Sequence, residues 1–445
     1  MAKKKSNLEE ELEKLDYMEI LSGGESKGIF SKNDVIDYSY QTGITLIDYA
    51  YGYEINVRDE NDVIINKRKC LGLQAGSFNV VTGKTQSFKT TLSMQMVANI
   101  AYANNGNVYH YDCENRLVIE RVKTMTKLPN KWFTGDNPRY ALRSGAIGFD
   151  TLQNDITTIY ENKMRAKHVL LQDTGAVDCN NKPIWLMPPT VVFVDSLQNI
   201  LQEELKYDIN NKNFDDNKEL RGNMVGAQSA KTIRGFLTDI IPMLKEANII
   251  MLVIAHKTSN MSLQPFAGVA KQFQYGSANE RISGGTAVEF NASAVINLTG
   301  LSKEDSRFHL SSDGFEGNTV LFEPTKSSTN ESGNEKTGMG FMLIVDKQND
   351  GIDNIRSLIM FMNQRGRLKG NRAGYKVIDK HGNELTEKFT WKNVYKEFNE
   401  NKDMYRTFMI EARNELETLI SKSPDNNGKI TVFNPDNILT ELEAA

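Results

Sequence analysis

The sequence has few cysteines, no long apolar run and almost no net charge. Its three cysteines, Cys70, Cys113 and Cys179, are odd in number and widely spaced, which argues against a disulfide framework or a zinc site and favours a reducing cytoplasm. No apolar run approaches the roughly 18 residues of a membrane-spanning helix, and the start, Met1 to Lys5, precedes acidic residues rather than the apolar stretch of a signal peptide. Membrane partners are therefore not expected. The net charge of −4 neither indicates nor excludes nucleic acid, because binding to phosphates needs only a local basic patch.

What is present is typical of a globular protein with a substantial core, since 39% of the residues are hydrophobic and 25% are charged. A chain of 445 residues holds one large domain with appendages, or two to three domains. We expect an N-terminal helix and oligomerisation segment over 1–40, a main core over 41–300, and an extension with a flexible loop and strands over 301–365. A largely helical C-terminal region should follow over 366–445, with its helical pattern running from Trp391 to Lys422.

Apolar strands alternate with amphipathic helices from about Thr42 to Leu298, which predicts an α/β fold with a mostly parallel, twisted sheet covered on both faces. The candidate strands are Phe78–Thr82, Val108–Asp112, Thr190–Val194, Ile249–Ala255 and Ala294–Leu298. In open sheets of this class a ligand binds at the carboxyl ends of the strands. Polar residues stand at those ends, namely Gly83, Asp112, Glu114, Asp195, Ser196 and His256. We therefore expect a binding site at that edge of the sheet.

The segment after the first of these strands is a phosphate-binding loop with one residue changed. Gly83, Lys89 and Thr90 have the spacing of the pattern G-x-x-x-x-G-K-[ST], but Phe88 replaces the second glycine. In such loops backbone N–H groups bind the phosphates, the lysine reaches the β- and γ-phosphates, and the hydroxyl binds Mg²⁺. The alternative is an ordinary strand–turn–helix with a chance Lys-Thr pair. The residues expected to bind nucleotide here are Gly83, Lys84, Thr85, Gln86, Ser87, Phe88, Lys89, Thr90 and Thr91.

Two further strands end in carboxylates that suit a nucleotide hydrolase. Asp195 follows an apolar strand and is expected to complete the Mg²⁺ shell begun by Thr90. Another strand ends in Asp112 and Glu114, of which Glu114 is a candidate base for the attacking water. The alternative is that both carboxylates cap the next helix. His256 stands where a donor could sense the γ-phosphate, although a lone histidine is more often structural.

Two long polar segments, 202–229 and 257–282, interrupt the core. Loops of this length within a compact domain are usually functional or disordered. Beyond residue 300 a stretch rich in glycine, serine and asparagine, 326–340, predicts a flexible loop. Two strands are predicted after it, at Gly340–Asp346 and Ser357–Asn363.

Five segments occur in the order in which RecA-type recombinases carry them. They are Thr42–Asp48, the phosphate loop, the strand end Asp112-Cys113-Glu114, Val194-Asp195-Ser196, and Ser283–Ser293. The last resembles the segment that closes the second DNA-binding loop in that family and is the most specific match. Ser87-Phe88-Lys89 in the phosphate loop, and His256 after the fourth core strand, resemble the phage branch of the family, UvsX. The resemblance covers residues 40–365.

The resemblance implies a RecA-like P-loop ATPase core over 41–300, with ATP and Mg²⁺ as cofactors. It makes Lys89 and Thr90 the phosphate and Mg²⁺ ligands and Asp195 the Walker B carboxylate. It also makes Glu114 the catalytic glutamate and His256 the γ-phosphate sensor.

The resemblance further implies two DNA-binding loops, over 203–229 and 257–283, which in the family line the axis of a filament. Residues of the second loop that offer charge, stacking surfaces or backbone contacts to single-stranded DNA are Phe266, Lys271, Phe273, Tyr275, Arg281, Gly284 and Gly285. The alternative is a solvated loop that covers the core. The family also places two lysines of a neighbouring subunit across the ATP, and Lys347 is the one basic residue of a similar segment. The insertions at 54–72, 172–189 and 300–340 have no counterpart.

We therefore expect a DNA-dependent ATPase that polymerises on single-stranded DNA and promotes pairing with double-stranded DNA and strand exchange, in recombination and repair. The expected partners are both forms of DNA, further copies of the chain in a helical filament, and mediator or loader proteins. The expected location is the cytoplasm, that of a bacterial host if a phage encodes the chain.

Two alternatives stay open. The first is a DnaB-like hexameric replicative helicase, which the start of the core near Thr42 disfavours, because that class usually carries a large helical N-terminal domain. The second is a non-catalytic recombinase paralogue that binds DNA and keeps only a nucleotide pocket. Retention of Lys89, Thr90, Glu114 and Asp195 argues against it. The sequence does not decide between a filament and a ring.

Overall fold

The computed structural model describes residues 37–145, 147–200, 218–259, 280–282, 286–300, 317–328, 339–346 and 351–423. Its strands are β1 (Ser39–Tyr40), β2 (Tyr53–Arg58), β3 (Ile64–Cys70), β4 (Leu73–Gln74), β5 (Phe78–Gly83), β6 (Asn107–Asp112), β7 (Tyr140–Ser144), β8 (Gln172–Val177), β9 (Pro183–Leu186), β10 (Thr190–Asp195), β11 (Ile249–Ser259), β12 (Glu280–Ile282), β13 (Ala294–Gly300), β14 (Gly317–Ser327), β15 (Phe341–Asp346), β16 (Gly351–Ile352), β17 (Leu368–Asn371) and β18 (Gly374–Val377). Its α-helices are α1 (Thr45–Ala50), α2 (Lys89–Ala103), α3 (Ile119–Thr126), α4 (Phe149–Arg165), α5 (Lys167–Leu170), α6 (Lys218–Glu246), α7 (Thr286–Asn291), α8 (Asn354–Gln364), α9 (Val394–Glu400) and α10 (Lys402–Leu416). All of these elements belong to one unit, Tyr38–Ala445.

A large sheet forms the centre of this unit. Its strands run in the order β16-β15-β14-β13-β5-β11-β10-β6-β7, and β12 pairs with β11 off this path. The neighbours from β13 to β7 are parallel, whereas β13, β14, β15 and β16 are antiparallel. Parallel neighbours need crossover connections, and α2, α3, α4 and α6 lie in those connections. The predicted α/β fold, with a mostly parallel sheet flanked by helices, is confirmed at this level.

Helices pack against the parallel strands, which explains why the sequences of these strands are continuously apolar. In β10 every residue is buried. Val192 and Val194 join a core cluster with Leu152 of α4 and Ile240 of α6. Successive strand residues point to opposite faces of the sheet, so the residues of β10 that alternate with Val192 and Val194 must be buried by another element on the other face. α2 contacts β5, β6, β10 and β11 and supplies apolar side chains outside that cluster.

The five strands predicted for the core are all present, as β5, β6, β10, β11 and β13. The strand predicted at Gly340–Asp346 is also present, as β15. The prediction of a strand at Ser357–Asn363 is wrong, because these residues lie in the helix α8. Asp353 begins that helix by accepting a hydrogen bond from the backbone N–H of Arg356 (2.8 Å). The apolar run contains a single β-branched residue, Ile359, beside leucine and methionine, which favour helices.

The loop predicted over 202–229 is wrong for its second part, which is helical. Residues 218–229 belong to α6, and 201–217 lie outside the described residues. Gly222 and Gly226 fall in the misassigned part, and glycine lowers helix propensity. They weakened the helical pattern in the sequence.

Two of the three predicted insertions form β-hairpins. Residues 54–72 contribute to the β2–β3 pair, and 172–189 contain the β8–β9 pair. The hairpins are joined by a hydrogen bond from the backbone N–H of Arg58 to the carbonyl oxygen of Cys179 (2.8 Å). The third insertion, 300–340, contains β14, which pairs with β13 and β15.

The C-terminal region combines helices with a hairpin. α9 and α10 lie within the helical pattern predicted from Trp391 to Lys422, and the β17–β18 hairpin precedes them. The N-terminal helix expected within 1–40 lies outside the described residues. In the part of the chain that the structure describes, no helix is long and apolar enough to cross a membrane.

Candidate functional site

The turn between β5 and α2 is closed by hydrogen bonds from two buried side chains. Ser87 Oγ donates to the carbonyl oxygen of Lys84 (2.8 Å), and Lys89 Nζ donates to the same oxygen (2.6 Å). Gly83 enters the turn where a Cβ would lie 2.0 Å from the carbonyl oxygen of Leu298. No larger residue fits there without moving the backbone of β13. The Lys89 ammonium is thus held at the mouth of the turn.

Phe88 takes the backbone conformation that the second glycine of the motif would supply. Its φ is 61° and its ψ is 21°, in the left-handed region, where residues with a Cβ are disfavoured. Phe88 is also the residue that precedes α2, and its side chain cannot cap the helix. The first-turn N–H groups of α2 can therefore bind an anion, as helix N-termini do.

Thr90 and Asp195 meet across the cleft above α2. Thr90 Oγ1 donates to Asp195 Oδ2 over 2.7 Å. Burial raises the pKa of Asp195 to about 6, against the effect of the Thr90 hydrogen bond, and Glu114 adds to the increase. A carboxylate destabilised in this way gains from a bound cation, and hydroxyl and carboxylate oxygens are ligands that Mg²⁺ accepts.

The donor set fits Mg²⁺ only in the presence of phosphate and water. Among the described residues no group of three or more His, Cys, Asp or Glu side chains could hold a metal ion. Mg²⁺ keeps several waters and commonly uses one or two carboxylates together with substrate phosphates. Thr90 and Asp195 match that requirement, since they lie beside the N-terminus of α2, where a phosphate could supply the remaining oxygens.

Glu114 lies in the cleft between two sets of donors. Its Oε1 atom is 3.3 Å from Ser196 Oγ and 3.4 Å from Asn199 Nδ2. Ser196 immediately precedes the short helix Leu197–Asn199, and Asn199 is its last residue. Its Oε2 atom is 3.2 Å from Arg116 Nη1. The Glu114 carboxylate is thus held by hydrogen-bond donors at Oε1 and forms an ion pair with Arg116 at Oε2.

Asp112 has a different role from Glu114. Its buried Oδ2 atom accepts hydrogen bonds from the backbone N–H of Leu117 (2.9 Å) and from Ser144 Oγ (3.3 Å). The helix α3 begins only at Ile119, and Val118, which precedes it, makes no side-chain cap. Asp112 therefore fixes the loop after β6, whereas Glu114 faces the cleft.

His256 completes this side of the cleft at the end of the parallel part of β11. Its Nε2 atom is 3.7 Å from Glu114 Oε1, which is too long for a hydrogen bond. Burial lowers the pKa of His256, and the positive charge of Lys89 lowers it further. The imidazole is therefore neutral near neutral pH, and its ring can donate to a ligand without forming an ion pair with Glu114.

These groups surround one cleft of about 710 Å³. The predicted site residues that line it are Thr85, Gln86, Ser87, Phe88, Lys89, Thr90, Thr91, Glu114, Asp195 and His256. Gly83 and Lys84 shape the turn but do not line the cleft. The structure adds Arg116, Ile254, Gly300, Asn318 and Thr319, which sequence reasoning missed. Arg116 had a signal, because it follows Glu114 by two residues, whereas Asn318 and Thr319 lie in an insertion with no recognisable pattern.

The residues predicted to contact DNA are not placed by the structure. Phe266, Lys271, Phe273, Tyr275, Gly284 and Gly285 lie outside the described residues, as does Lys347. Arg281 is described only as a backbone position of β12. The DNA-binding roles of these residues stay predictions.

No protein-family model matches the chain, and no curated protein sequence matches it either. The similarity to RecA-type recombinases therefore stays a hypothesis from the sequence. The geometry of the cleft is the independent observation on which a function can be argued.

Proposed function

We propose that the chain is an ATP-dependent DNA recombinase of the RecA type, whose cleft binds ATP with Mg²⁺ and hydrolyses the terminal phosphate. The observation that carries the proposal is the convergence of Lys89, Thr90, Glu114 and Asp195 on one cleft. They come from distant parts of the sequence and meet at the carboxyl ends of β5, β6 and β10, where ligands of open α/β sheets bind. A chance Lys-Thr pair would not gather these carboxylates.

The phosphates would bind at the start of α2. The N–H groups of its first turn and the Lys89 ammonium supply positive charge there. Burial lowers the pKa of Lys89, but Asp195 and Glu114 oppose that effect, and an incoming phosphate would oppose it further. Lys89 would exchange the Lys84 carbonyl oxygen for phosphate oxygens.

Glu114 would orient the attacking water and accept its proton. The water must lie in line with the terminal phosphorus, and the contacts of Ser196 and Asn199 with Oε1 hold the Glu114 carboxylate in the cleft. His256, neutral for the reasons given above, would donate a hydrogen bond to the terminal phosphate. Mg²⁺, bound by Thr90 and Asp195, would neutralise the charge that develops on the phosphates.

The chemistry of the cleft supports ATP hydrolysis, and the sequence resemblance supports a recombinase in particular. The two long segments expected to bind DNA follow directly from the cleft. Residues 203–229 begin shortly after the short helix that holds Asn199, and 257–283 begin directly after His256 of β11. Loss of the terminal phosphate could therefore be transmitted to both segments through a few residues.

The test is ATP hydrolysis by the full chain, with and without single-stranded DNA, together with negative-stain imaging. We expect hydrolysis that DNA stimulates, and helical filaments in the presence of ATP. Lys89→Ala should abolish turnover while leaving the circular dichroism spectrum unchanged. Lys131→Ala, at an exposed lysine outside the cleft, serves as the matched control.

The alternatives give different results in the same assays. Rings with strand-unwinding activity would favour a hexameric helicase over a recombinase. A folded protein whose ATP turnover does not respond to DNA would favour the non-catalytic paralogue. Turnover that survives Lys89→Ala would mean that the phosphate loop has been misassigned.

A further inference from the structure

Arg116 lies in the cleft and has no part in the chemistry described so far. It belongs to the loop between β6 and α3 and lines the same cleft as Lys89 and Asp195. Its Nη1 atom is 3.2 Å from Glu114 Oε2, and 79% of its side chain is exposed against 21% for Glu114. The cation is therefore loosely held by its surroundings, while the carboxylate that it touches is firmly placed.

The two oxygens of Glu114 have separate partners. Oε1 faces Ser196 and Asn199, and Oε2 faces Arg116. The loss of Arg116 from Oε2 would leave the contacts at Oε1 in place. Glu114 can thus keep its position in the cleft while its second oxygen becomes available to another hydrogen-bond donor.

The charges of the cleft favour a move of Arg116 toward a nucleotide. The Lys89 ammonium is buried and already bonded within the turn, where it can reach the phosphates without travelling. Arg116 is long, exposed and paired with a single carboxylate. Exposed ion pairs contribute little stability, whereas a guanidinium binds a phosphoryl group through two parallel hydrogen bonds. The arrival of a triphosphate therefore offers Arg116 a better partner than Glu114.

We propose that Arg116 moves from Glu114 to the terminal phosphate of a bound nucleoside triphosphate. The move has two effects at once. It lets the site distinguish a triphosphate from a diphosphate, and it frees Oε2 of Glu114 for the attacking water. Before the triphosphate binds, the pair keeps Glu114 neutralised. The proposal rests on the proposed function of the cleft as an ATP site.

The experiment compares the binding of a non-hydrolysable ATP analogue and of ADP, each with Mg²⁺, by calorimetry. The proteins are the wild type, Arg116→Ala, Arg116→Lys and Arg406→Ala, the last being an exposed arginine of α10 outside the cleft. Arg116→Ala should weaken binding of the analogue about tenfold or more and leave ADP binding within about twofold. Arg116→Lys should fall between, because it keeps the charge but loses the two-pronged hydrogen bonding. Arg406→Ala should match the wild type.

The outcomes separate this proposal from the proposed function. If Arg116→Ala changes the two affinities by the same factor, or changes neither, the move of Arg116 is disproved while the ATP site stands. If the wild type binds neither nucleotide, the proposed function fails first and the role of Arg116 fails with it. Steady-state hydrolysis adds a second readout, since Arg116→Ala should lower kcat at saturating ATP and not only raise KM.

Discussion

Phe88 has a backbone conformation that glycine adopts at lower cost. Its φ of 61° places it in the left-handed region, which costs a residue with a Cβ roughly 1–2 kcal/mol. The substitution Phe88→Gly should therefore give a protein that is more stable than Phe88→Ala by about 1 kcal/mol in chemical denaturation, because only glycine relieves the strain.

At an ordinary helical position the alanine variant is more stable than the glycine variant, and such a position serves as the control. At Arg406, in the middle of α10, alanine should be more stable than glycine by about 1 kcal/mol. If the order at position 88 matches the order at position 406, the left-handed conformation is not the one populated in solution.

Asp48 predicts a pH dependence of stability. Its Oδ1 atom accepts hydrogen bonds from the backbone N–H and from Oγ1 of Thr42, both at 2.7 Å. Burial nevertheless raises the pKa of Asp48 from 3.8 to about 7. Between these two values the folded state holds a proton that the unfolded state releases, so the contribution of Asp48 is full at low pH and is lost as the pH rises toward 7, by up to about 1.4 kcal/mol per pH unit.

The variant Asp48→Asn isolates this contribution, because the amide does not titrate and keeps the acceptor for Thr42. Denaturation curves of wild type and variant, recorded between about pH 4 and pH 8, should show wild-type stability falling relative to the variant. Parallel stability curves would mean that Asp48 titrates normally.

At the scale of single residues, the sequence identified the groups whose chemistry depends on type and spacing. These groups follow a predicted strand or the glycine of the phosphate loop, and in the structure they line one cleft: Lys89, Thr90, Glu114 and Asp195. The roles of Ser196 and Asn199 could not be assigned in the same way, because they depend on contacts with Glu114 across the cleft. Arg116 had only one signal, its position two residues after Glu114. Spacing along the chain does not report such contacts.

Among the elements, α8 is held by a buried ion pair at its first turn. Asp353 Oδ2 accepts from Arg356 Nη1 (2.7 Å), and Tyr395 donates to Asp353 Oδ1 (2.6 Å). The Arg356 guanidinium also lies over the rings of Trp391 and Tyr395, 5.9 Å and 5.2 Å from their centroids. The cluster therefore ties α8 to the start of the C-terminal region.

Removal of one charge from this cluster should be costly. Asp353→Ala removes the carboxylate that pairs with the buried Arg356 guanidinium and also removes the helix cap, and should lower the free energy of unfolding by about 3–5 kcal/mol. Asp353→Asn should cost less, since it keeps an acceptor. Glu400→Ala, which breaks the exposed Lys396–Glu400 pair, should change stability by less than about 1 kcal/mol.

A second substitution tests the cause of the effect. If Asp353→Ala destabilises because the Arg356 guanidinium loses its carboxylate, Arg356→Met in the same chain should recover part of the loss. A double variant that is as unstable as the sum of the single ones would assign the loss to the cap and to Tyr395 instead.

Element type was predictable where length and residue type agreed. The five predicted core strands combine β-branched residues with polar ends, and all five are present, whereas β7 at the edge of the same sheet was not predicted. The apolar run of α8 has the length of a strand, and only the Asp353 cap and its leucine and methionine content mark it as a helix. The segments that form the β2–β3 and β8–β9 hairpins have no assignable counterpart and are predicted only as insertions. Many residues of β3 and β8 are exposed and polar, so the alternating pattern of a strand is weak there.

At the scale of the whole molecule, the alternation of strands and helices predicted the parallel sheet and the edge at which the cleft lies. The order of strands in the sheet could not be predicted in this way, because pairings such as β5 with β13 join segments that are distant in sequence. The antiparallel extension of the sheet by β14, β15 and β16 was likewise not predicted, since only β15 of these three strands was identified correctly.

The last prediction concerns the DNA-binding surface, which the proposed function requires outside the described residues. Phe266, Phe273 and Tyr275 lie in the segment after β11, and base stacking on such side chains contributes about 1–3 kcal/mol per base. Replacement of all three by alanine should weaken single-stranded DNA binding accordingly, as measured by fluorescence anisotropy at fixed salt. Lys131→Ala is again the control, and binding of ATP by the triple variant checks that the cleft is intact. An unchanged affinity for DNA in a variant that still binds ATP would remove this segment from the DNA-binding site and leave 203–229 as the remaining candidate.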